Sequence, residues 1–244
     1  MVTASAGRFG VVGGVLPLYA HRLGRAYGPD NSVTALAGAL AAGVEGLEAD
    51  LCLSADGELV LLHDPWLPRA TELEGFAHER SGRELRGAGL LTLDDLLAAA
   101  PPAVALQLEV KAHADPALAT RTVDVLAAQL RGVRGRRVEA LSFTATACER
   151  AAALGLPARL VIWADYAPAA LARWAHRHGV GGVCVEHFLL SAPLVAALRR
   201  GGLSVTTGTV NDPALLDRVL RFAPDAVTTD APHALRGGVR SQAA

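Results

Sequence analysis

The amino-acid sequence predicts an α/β fold, a (β/α)8 TIM barrel of parallel strands with one β-hairpin excursion after the second strand. Three observations predict it. Short runs of β-forming residues alternate with longer alanine- and leucine-rich amphipathic segments, as in βαβ units around a parallel sheet. The length of 244 residues matches the roughly 250 typical of one such barrel. Ionisable residues stand at the C-terminal ends of the first three strands, the catalytic face of this architecture, where a structural core would use branched aliphatics. An open doubly wound sheet shows the same alternation; the motifs favour the barrel.

Eight strands are expected near 17–21, 46–53, 104–110, 138–143, 159–163, 181–185, 203–208 and 225–229. A helical pattern follows most of them. Asn31-Ser32 precedes an alanine-rich run to Ala42, and Thr92 with Asp95 three residues later forms a capping pair. Pro116, Pro168, Pro193 and Pro213 stand where helices begin, since the N–H that proline lacks has no partner there anyway. No linker divides the chain, so residues 1–244 are expected to form one domain. The alternation breaks once, in GLEADLCLSADGELVLLHD, where Asp56-Gly57 lies between two apolar-rich runs and signals a tight hairpin. With Asp56 and Gly57 as the two turn residues, Asp50 faces His63 and Glu48 points to the same side. Two carboxylates and an imidazole would then share one face.

Hydrophobic residues make up 51% of the chain and charged ones 19%, a globular composition rather than a disordered one. The net charge of −1 provides no long-range field for a phosphate backbone, so nucleic acid is not an expected partner. The one basic run, RGVRGRR at 131–137, reads as a solvated connection. Cys52, Cys148 and Cys184 are widely spaced with no Cys-x-x-Cys pair, so they read as small apolar residues in a reducing compartment. No stretch reaches the roughly 18 uncharged apolar residues of a membrane span, and the N-terminal segment does not read as a signal peptide. A cytoplasmic protein is expected, as a monomer or homodimer.

The chemistry concentrates at strand ends. The first strand ends in His21-Arg22, the second carries Glu48-x-Asp50, and the third carries Glu109-x-Lys111. Three carboxylates from adjacent strands repel one another unless protons or a cation neutralise them. Oxygen ligation favours magnesium or calcium, with manganese possible, over zinc. His21 and His63 can exchange protons near neutral pH, and Arg22 and Lys111 supply fixed positive charge for an anionic oxygen. A metal, two imidazoles and two cations suit phosphoryl transfer.

The runs AHRLGRAYGPDNS, GLEADLCLSADGELVLLHD, LQLEVK, LSF, TVND and VTTDAP, in this order and spacing, resemble the glycerophosphodiester phosphodiesterase family across nearly the whole chain. The resemblance implies that His21 and His63 are the acid–base pair, that Glu48, Asp50 and Glu109 hold a divalent metal, and that Arg22 and Lys111 bind phosphate. It implies a small-molecule diester substrate, hydrolysed to an alcohol and sn-glycerol 3-phosphate. The chain departs from the family pattern at Leu23, usually glycine, at Asp30, usually glutamate, and at Gly208, usually an aromatic residue. The segment between His63 and the third strand is short, which implies a more open mouth and room for bulky head groups.

Several residues carry two readings. Glu109 and Lys111 could simply pair with each other, and Arg22 could be a brace rather than a phosphate ligand. His187 follows an apolar run at a strand end, so it lines the pocket or is structural with equal weight. Trp66 is close enough to His63 in sequence to touch substrate. Asn211 and Asp230 lie past strand ends but could cap helices. His78, His113, His176, His178 and His233 are expected at the surface. Two rival functions are a phospholipase D-like or cyclic-phosphate-forming lyase and a non-catalytic phosphate-ligand-binding homologue.

Overall fold

A computed structural model describes residues 16–112 and 115–240. Eight parallel strands close into a barrel, in the order β1 (Leu18–Ala20), β2 (Gly46–Leu53), β4 (Ala105–Val110), β5 (Val138–Ser142), β6 (Ala158–Ile162), β7 (Gly182–Glu186), β8 (Ser204–Gly208) and β9 (Ala226–Thr229). Pairing of β1 with both β9 and β2 closes it. β3 (Leu59–Leu61) is the antiparallel excursion on β2. The strand ends differ from the expected ones by about one residue.

The helices start where the sequence marks them. Ser32 caps α1 (Val33–Ala41) by accepting the Ala35 N–H. Ser81 caps α2 (Gly82–Gly87), and Thr92 with Asp95 forms the expected capping box of α3 (Leu93–Ala99). α4 (Pro116–Leu130), α6 (Pro168–His178) and α8 (Pro213–Leu220) open on proline, and α7 (Ala192–Arg200) has one at its second position. α5 (Ala145–Ala153) and α9 (Pro232–Arg240) complete the ring. Residues 131–137 form the expected connection between α4 and β5.

Strand alternation divides the packing into two sets. Leu47, Ala49, Leu51, Leu106, Leu108, Val183, Val185 and Val205 belong to the apolar layer shared with the helices. The alternate positions include Tyr19, Glu48, Asp50, Gln107, Glu109, Glu139, Arg159 and Thr206, and all of these are buried too. Deep among them the Arg159 guanidinium meets the Glu139 carboxylate at 3.0 Å and donates to the carbonyls of Val183 and Ser204, while Gln107 Nε2 donates to Glu139. This network ties five neighbouring strands together.

The hairpin register departs from expectation. Leu51 pairs with Leu61, Cys52 with Val60 and Leu53 with Leu59, and Ser54 N–H bonds to the Glu58 carbonyl. The loop is therefore Ala55-Asp56-Gly57, three residues ending in left-handed Gly57 at φ 90°, the loop class in which a left-handed residue follows a turn. Asp50 faces Leu62, whose N–H bonds to its carbonyl, and does not face His63. A one-residue change in register exchanges faces. The Cys52, Val60 and Leu62 side chains pack with Leu67, Ala77 and Leu85 of the following segment into a second small core.

Candidate active site

The first strand ends in a short helical turn, His21–Leu23, held in unusual backbone geometry. Arg22 and Leu23 have φ of 49° and 65°, and Gly24 follows at 107°. Non-glycine residues visit this region at a cost of about 1–2 kcal/mol each. The turn is anchored by what it touches: Arg22 N–H donates to Glu48 Oε2 at 2.8 Å, and the Arg22 carbonyl accepts from Asn31 N–H at 2.9 Å. Leu23 is fully buried in the main core, so its packing offsets a conformation in which glycine would be unstrained.

Glu48, Asp50 and Glu109 converge as the sequence predicts. All three are buried, and each offers a carboxylate oxygen within 4.8 Å of the others. β2 and β4 place them, since Asp50 pairs in register with Glu109. Burial and the neighbouring Asp50 push the Glu48 carboxyl up to about 8. Burial also raises Glu109, although Lys111 opposes it. Asp50 is the exception. Burial works against its charge, but Lys111 and a hydrogen bond from Asn31 hold its carboxyl below the usual range. The Lys111 ammonium lies 3.0 Å from Asp50 and 2.5 Å from Glu109, so the pairing of Glu109 with Lys111 is real and is shared with Asp50.

Glu48 Oε1 is buried with no hydrogen-bond partner. A buried carboxylate oxygen left without a donor, inside an all-oxygen trio from adjacent strands, is what a hard divalent cation would satisfy. The residues present therefore fit such an ion.

The two histidines reach this cluster by different routes. His21 Nδ1 lies 2.6 Å from Asp230 Oδ1. Burial alone would disfavour the imidazolium, but the Asp230 hydrogen bond and the Glu48 charge outweigh it and raise the pKa. His63 stands just past β3, where the chain leaves strand geometry, with its Nδ1 3.2 Å from Asp64 Oδ1. Burial and the Lys111 charge hold its pKa down against the pull of Asp50. The charges of Asp50, Lys111 and Arg22 all bear on its imidazole.

Arg22 makes the contacts of a brace. Its Nη1 donates to Asp30 Oδ2 at 2.6 Å, while its Nε lies 3.8 Å from Asp50, buried without a hydrogen bond. Asp30 also accepts from Arg25, so the shorter acid clamps two arginines. His187 is half-buried at the end of β7, its Nδ1 without a partner and its ring edge-on to Phe188. Burial raises the Glu186 carboxyl beside it, against the charges of His187 and His21. Trp66 stands apart. Its indole packs against Phe76 with centroids 4.9 Å apart, beside a cavity of about 260 Å³ lined also by Asp64, Pro65 and Arg69.

Two residues matter more than the sequence reading allowed. Asn31 is buried and binds Asp50 twice, through Nδ2 to Oδ2 and from the Asp50 N–H to its own Oδ1, while Ser32 does the capping. Its left-handed φ of 55° is a conformation asparagine adopts more readily than most, and the Asp-Asn-Ser order gives a weak signal for it. Asp230 orients His21 and is itself held by Asn211 Nδ2 at 2.6 Å. Asn211 does not cap α8, because Asp212 does. His78, His176, His178 and His233 are exposed as expected, and His113 lies outside the described residues. Gly208, where the family pattern has an aromatic, has Thr228 against it: a Cβ there would fall 2.9 Å from the Thr228 Cβ.

Comparison with known proteins agrees with this geometry. Residues 21–234 match the Glycerophosphoryl diester phosphodiesterase family. A Bacillus subtilis relative, YhdW, is 22% identical over 229 residues, 88% of this chain and 94% of its own. An Oleispira antarctica phosphodiesterase solved with the product sn-glycerol-3-phosphate superposes with a TM-score of 0.83 at 21% identity, over 93% of this chain and 97% of that one. A glycerophosphodiester phosphodiesterase from Parabacteroides distasonis gives 0.78 at 23% identity, over 93% and 98%. These structural likenesses concern the fold, and the family match extends from His21 to the start of the last helix. The chain belongs to the glycerophosphoryl diester phosphodiesterase family.

Proposed function

We propose that this chain cleaves glycerophosphodiesters to an alcohol and sn-glycerol 3-phosphate, with a divalent cation held by Glu48, Asp50 and Glu109 and with His21 and His63 as the acid–base pair. One observation carries the reading: each of two imidazoles has an aspartate at Nδ1, and they stand under the charge of different members of one buried carboxylate trio, His21 under Glu48 and His63 under Asp50. An aspartate at Nδ1 fixes the ring and leaves Nε2 for the reacting atoms. The product named for the Oleispira protein is of the same class.

The environments set the two histidines apart, which assigns acid and base. His63, held neutral, accepts a proton from the attacking oxygen. His21, whose imidazolium form Asp230 favours, donates one to the departing alkoxide. Arg22 Nε and Lys111 hold anionic phosphoryl oxygens, and Asn31 keeps Asp50 ionised and aimed. Glu48, Asp50 and Glu109 would hold a divalent cation, magnesium or calcium first and manganese next, which when bound would supply charge neutralisation for those oxygens.

The test is hydrolysis of a panel of glycerophosphodiesters, with and without chelator, by wild type, His21→Ala and His63→Ala. Losses of about 10²-fold or more in kcat for each histidine are expected, together with loss on chelation. Activity that survives all three changes removes the mechanism. Phosphorus NMR of the products reads the bond cleaved: a cyclic phosphate as final product would replace hydrolysis by the lyase reaction.

A further inference from the structure

The net charge of −1 conceals an uneven distribution. Each helix returns the chain antiparallel to the strands, so the connections from helix to strand lie at the strands' N-terminal ends, on the face opposite the catalytic groups. Residues 130–137, 153–157, 175–181, 198–203 and 220–225 lead into five consecutive strands, β5 to β9. They contain eight arginines and one acid, Asp225, and leave fifteen basic residues against twenty-three acidic ones for the rest of the chain. One face is thus basic, and the remainder carries the acidic excess.

A cation in the last turn of a helix is favourable in any protein, which accounts for Arg177, Arg199 and Arg200. It does not account for four arginines in residues 131–137, past the end of α4, or for the near absence of acids to balance them. Asp225 is already paired with Arg199 at 3.5 Å. Arg134 and Arg136 donate to backbone carbonyls, which leaves their charges without a counter-ion. Arg131, Arg177, Arg200 and Arg221 come from four different connections, and each is exposed with no ion pair to another described residue.

The chemistry of the partner follows from what stands among these arginines. Leu154, 41% exposed, is the one large apolar side chain exposed on this face among the described residues; it closes α5, between the 131–137 connection and the end of α6. Phe222 packs against the core. The exposed rings, Trp66, Phe76, Phe143, Trp163, Tyr166 and Phe188, stand past strand C-termini or around Asp64, so the basic face offers no aromatic platform on which nucleic-acid bases could stack. Its connections at 154–157, 179–181 and 201–203 project no helix or ribbon into a duplex groove. A broad array of arginines around one leucine suits an anionic lipid surface, where guanidinium groups meet phosphates and the apolar side chain enters the interface. We infer that this face docks the protein on bilayers rich in anionic phospholipid, with the catalytic mouth turned to the water. Such an orientation leaves the proposed site open to water-soluble diesters, and the docking does not depend on the diesterase reading.

The test is cosedimentation of the full chain with vesicles of phosphatidylcholine, alone or with about 30% phosphatidylglycerol. Binding is expected to require phosphatidylglycerol and to weaken at least about tenfold as salt rises from about 0.05 to about 0.5 M, which shortens the Debye length to a few ångströms. In Arg131→Gln/Arg177→Gln/Arg200→Gln/Arg221→Gln the Kd is expected to rise at least about 100-fold, since one basic residue near such a surface contributes about fivefold. Circular dichroism and turnover of a soluble diester are expected to match wild type. Each half of the set, Arg131→Gln/Arg177→Gln and Arg200→Gln/Arg221→Gln, is expected to give at least about tenfold, which keeps the test decisive if the fourfold variant does not fold. Leu154→Ser is expected to weaken binding about fivefold at every salt concentration. Trp163→Ser/Phe188→Ser, at the opposite face, is expected to bind vesicles as wild type does. No binding to either vesicle, equal binding to both, binding unchanged by the arginine substitutions, loss of binding in Trp163→Ser/Phe188→Ser, or capture of a duplex oligonucleotide without binding to vesicles would overturn the inference.

Discussion

His21 is useful because Asp230 holds it, and the pair has a pH signature. The pKa of His21 is raised, so its contribution to stability is fully present below about 6.5, the unperturbed value, and is lost as pH rises through the folded value. Asp230 is the mirror case. Burial would raise its pKa, but hydrogen bonds from His21 and Asn211 lower it, so its contribution is present above about 3.9 and is lost as pH falls. Both hold between roughly pH 4 and 6.5. In urea titrations, the deficit of Asp230→Asn against wild type is expected to peak in that window and to narrow on either side; a deficit still growing at pH 9 contradicts the assignment. Leu23 offers a second test at this scale. Leu23→Gly relieves about 1–2 kcal/mol of left-handed strain but removes a fully buried leucine, a loss of about 2–5 kcal/mol by analogy with leucine-to-alanine changes. Burial wins, so the variant is expected to unfold at lower urea despite matching the family pattern. The need for Asn31 was scarcely legible in advance, because its partner Asp50 lies 19 positions away and only folding brings them together.

The hairpin shows what local pattern reveals about a secondary-structure unit and what it does not. Asp56-Gly57 correctly marked a reversal between two strands, since a left-handed position in a short loop favours glycine. The loop length was misread, because Ser54 Oγ, which accepts from Glu58 N–H and donates to Asp56 Oδ1, stabilises a three-residue connection as readily as the pattern suggested a two-residue one. At Gly57 an added Cβ meets nothing within 4 Å, so Gly57→Ala carries only the backbone cost of about 1–2 kcal/mol. Thermal unfolding is expected to show that loss with kcat nearly unchanged. A large fall in kcat would mean that the loop, rather than the paired strands, positions His63. Helix starts were the most readable features, since a capping side chain sits within three residues of the N–H it satisfies. Thr92→Ala is accordingly expected to cost about 1 kcal/mol.

For the barrel as one body, two charged clusters at different depths do different work. The deeper one, Arg159 with Glu139, has no exposure to speak of and joins strands that are far apart in sequence. Glu139→Ala leaves a buried guanidinium without its counter-ion and is expected to cost about 3–5 kcal/mol. Replacing both residues by apolar ones of similar size is expected to restore much of that in the same denaturation experiment. The upper cluster, Glu48, Asp50 and Glu109, brings together three carboxylates whose mutual repulsion a bound cation would relieve. Magnesium or calcium at about 100 times its dissociation constant is expected to stabilise the wild type by about 2.7 kcal/mol and to leave Asp50→Ala unshifted. An equal shift in both proteins would place the ion elsewhere.

Residue order was enough to specify an alternating strand–helix chain, the helix caps, and the carboxylates and histidines at strand ends, because these are properties of periodicity and of neighbours a few positions apart. Which aspartate backs His21 and which amide aims Asp50 depend on closure of the barrel. Those partners stand 209 and 19 positions apart in the chain, and only the paired sheet brings them within hydrogen-bonding reach.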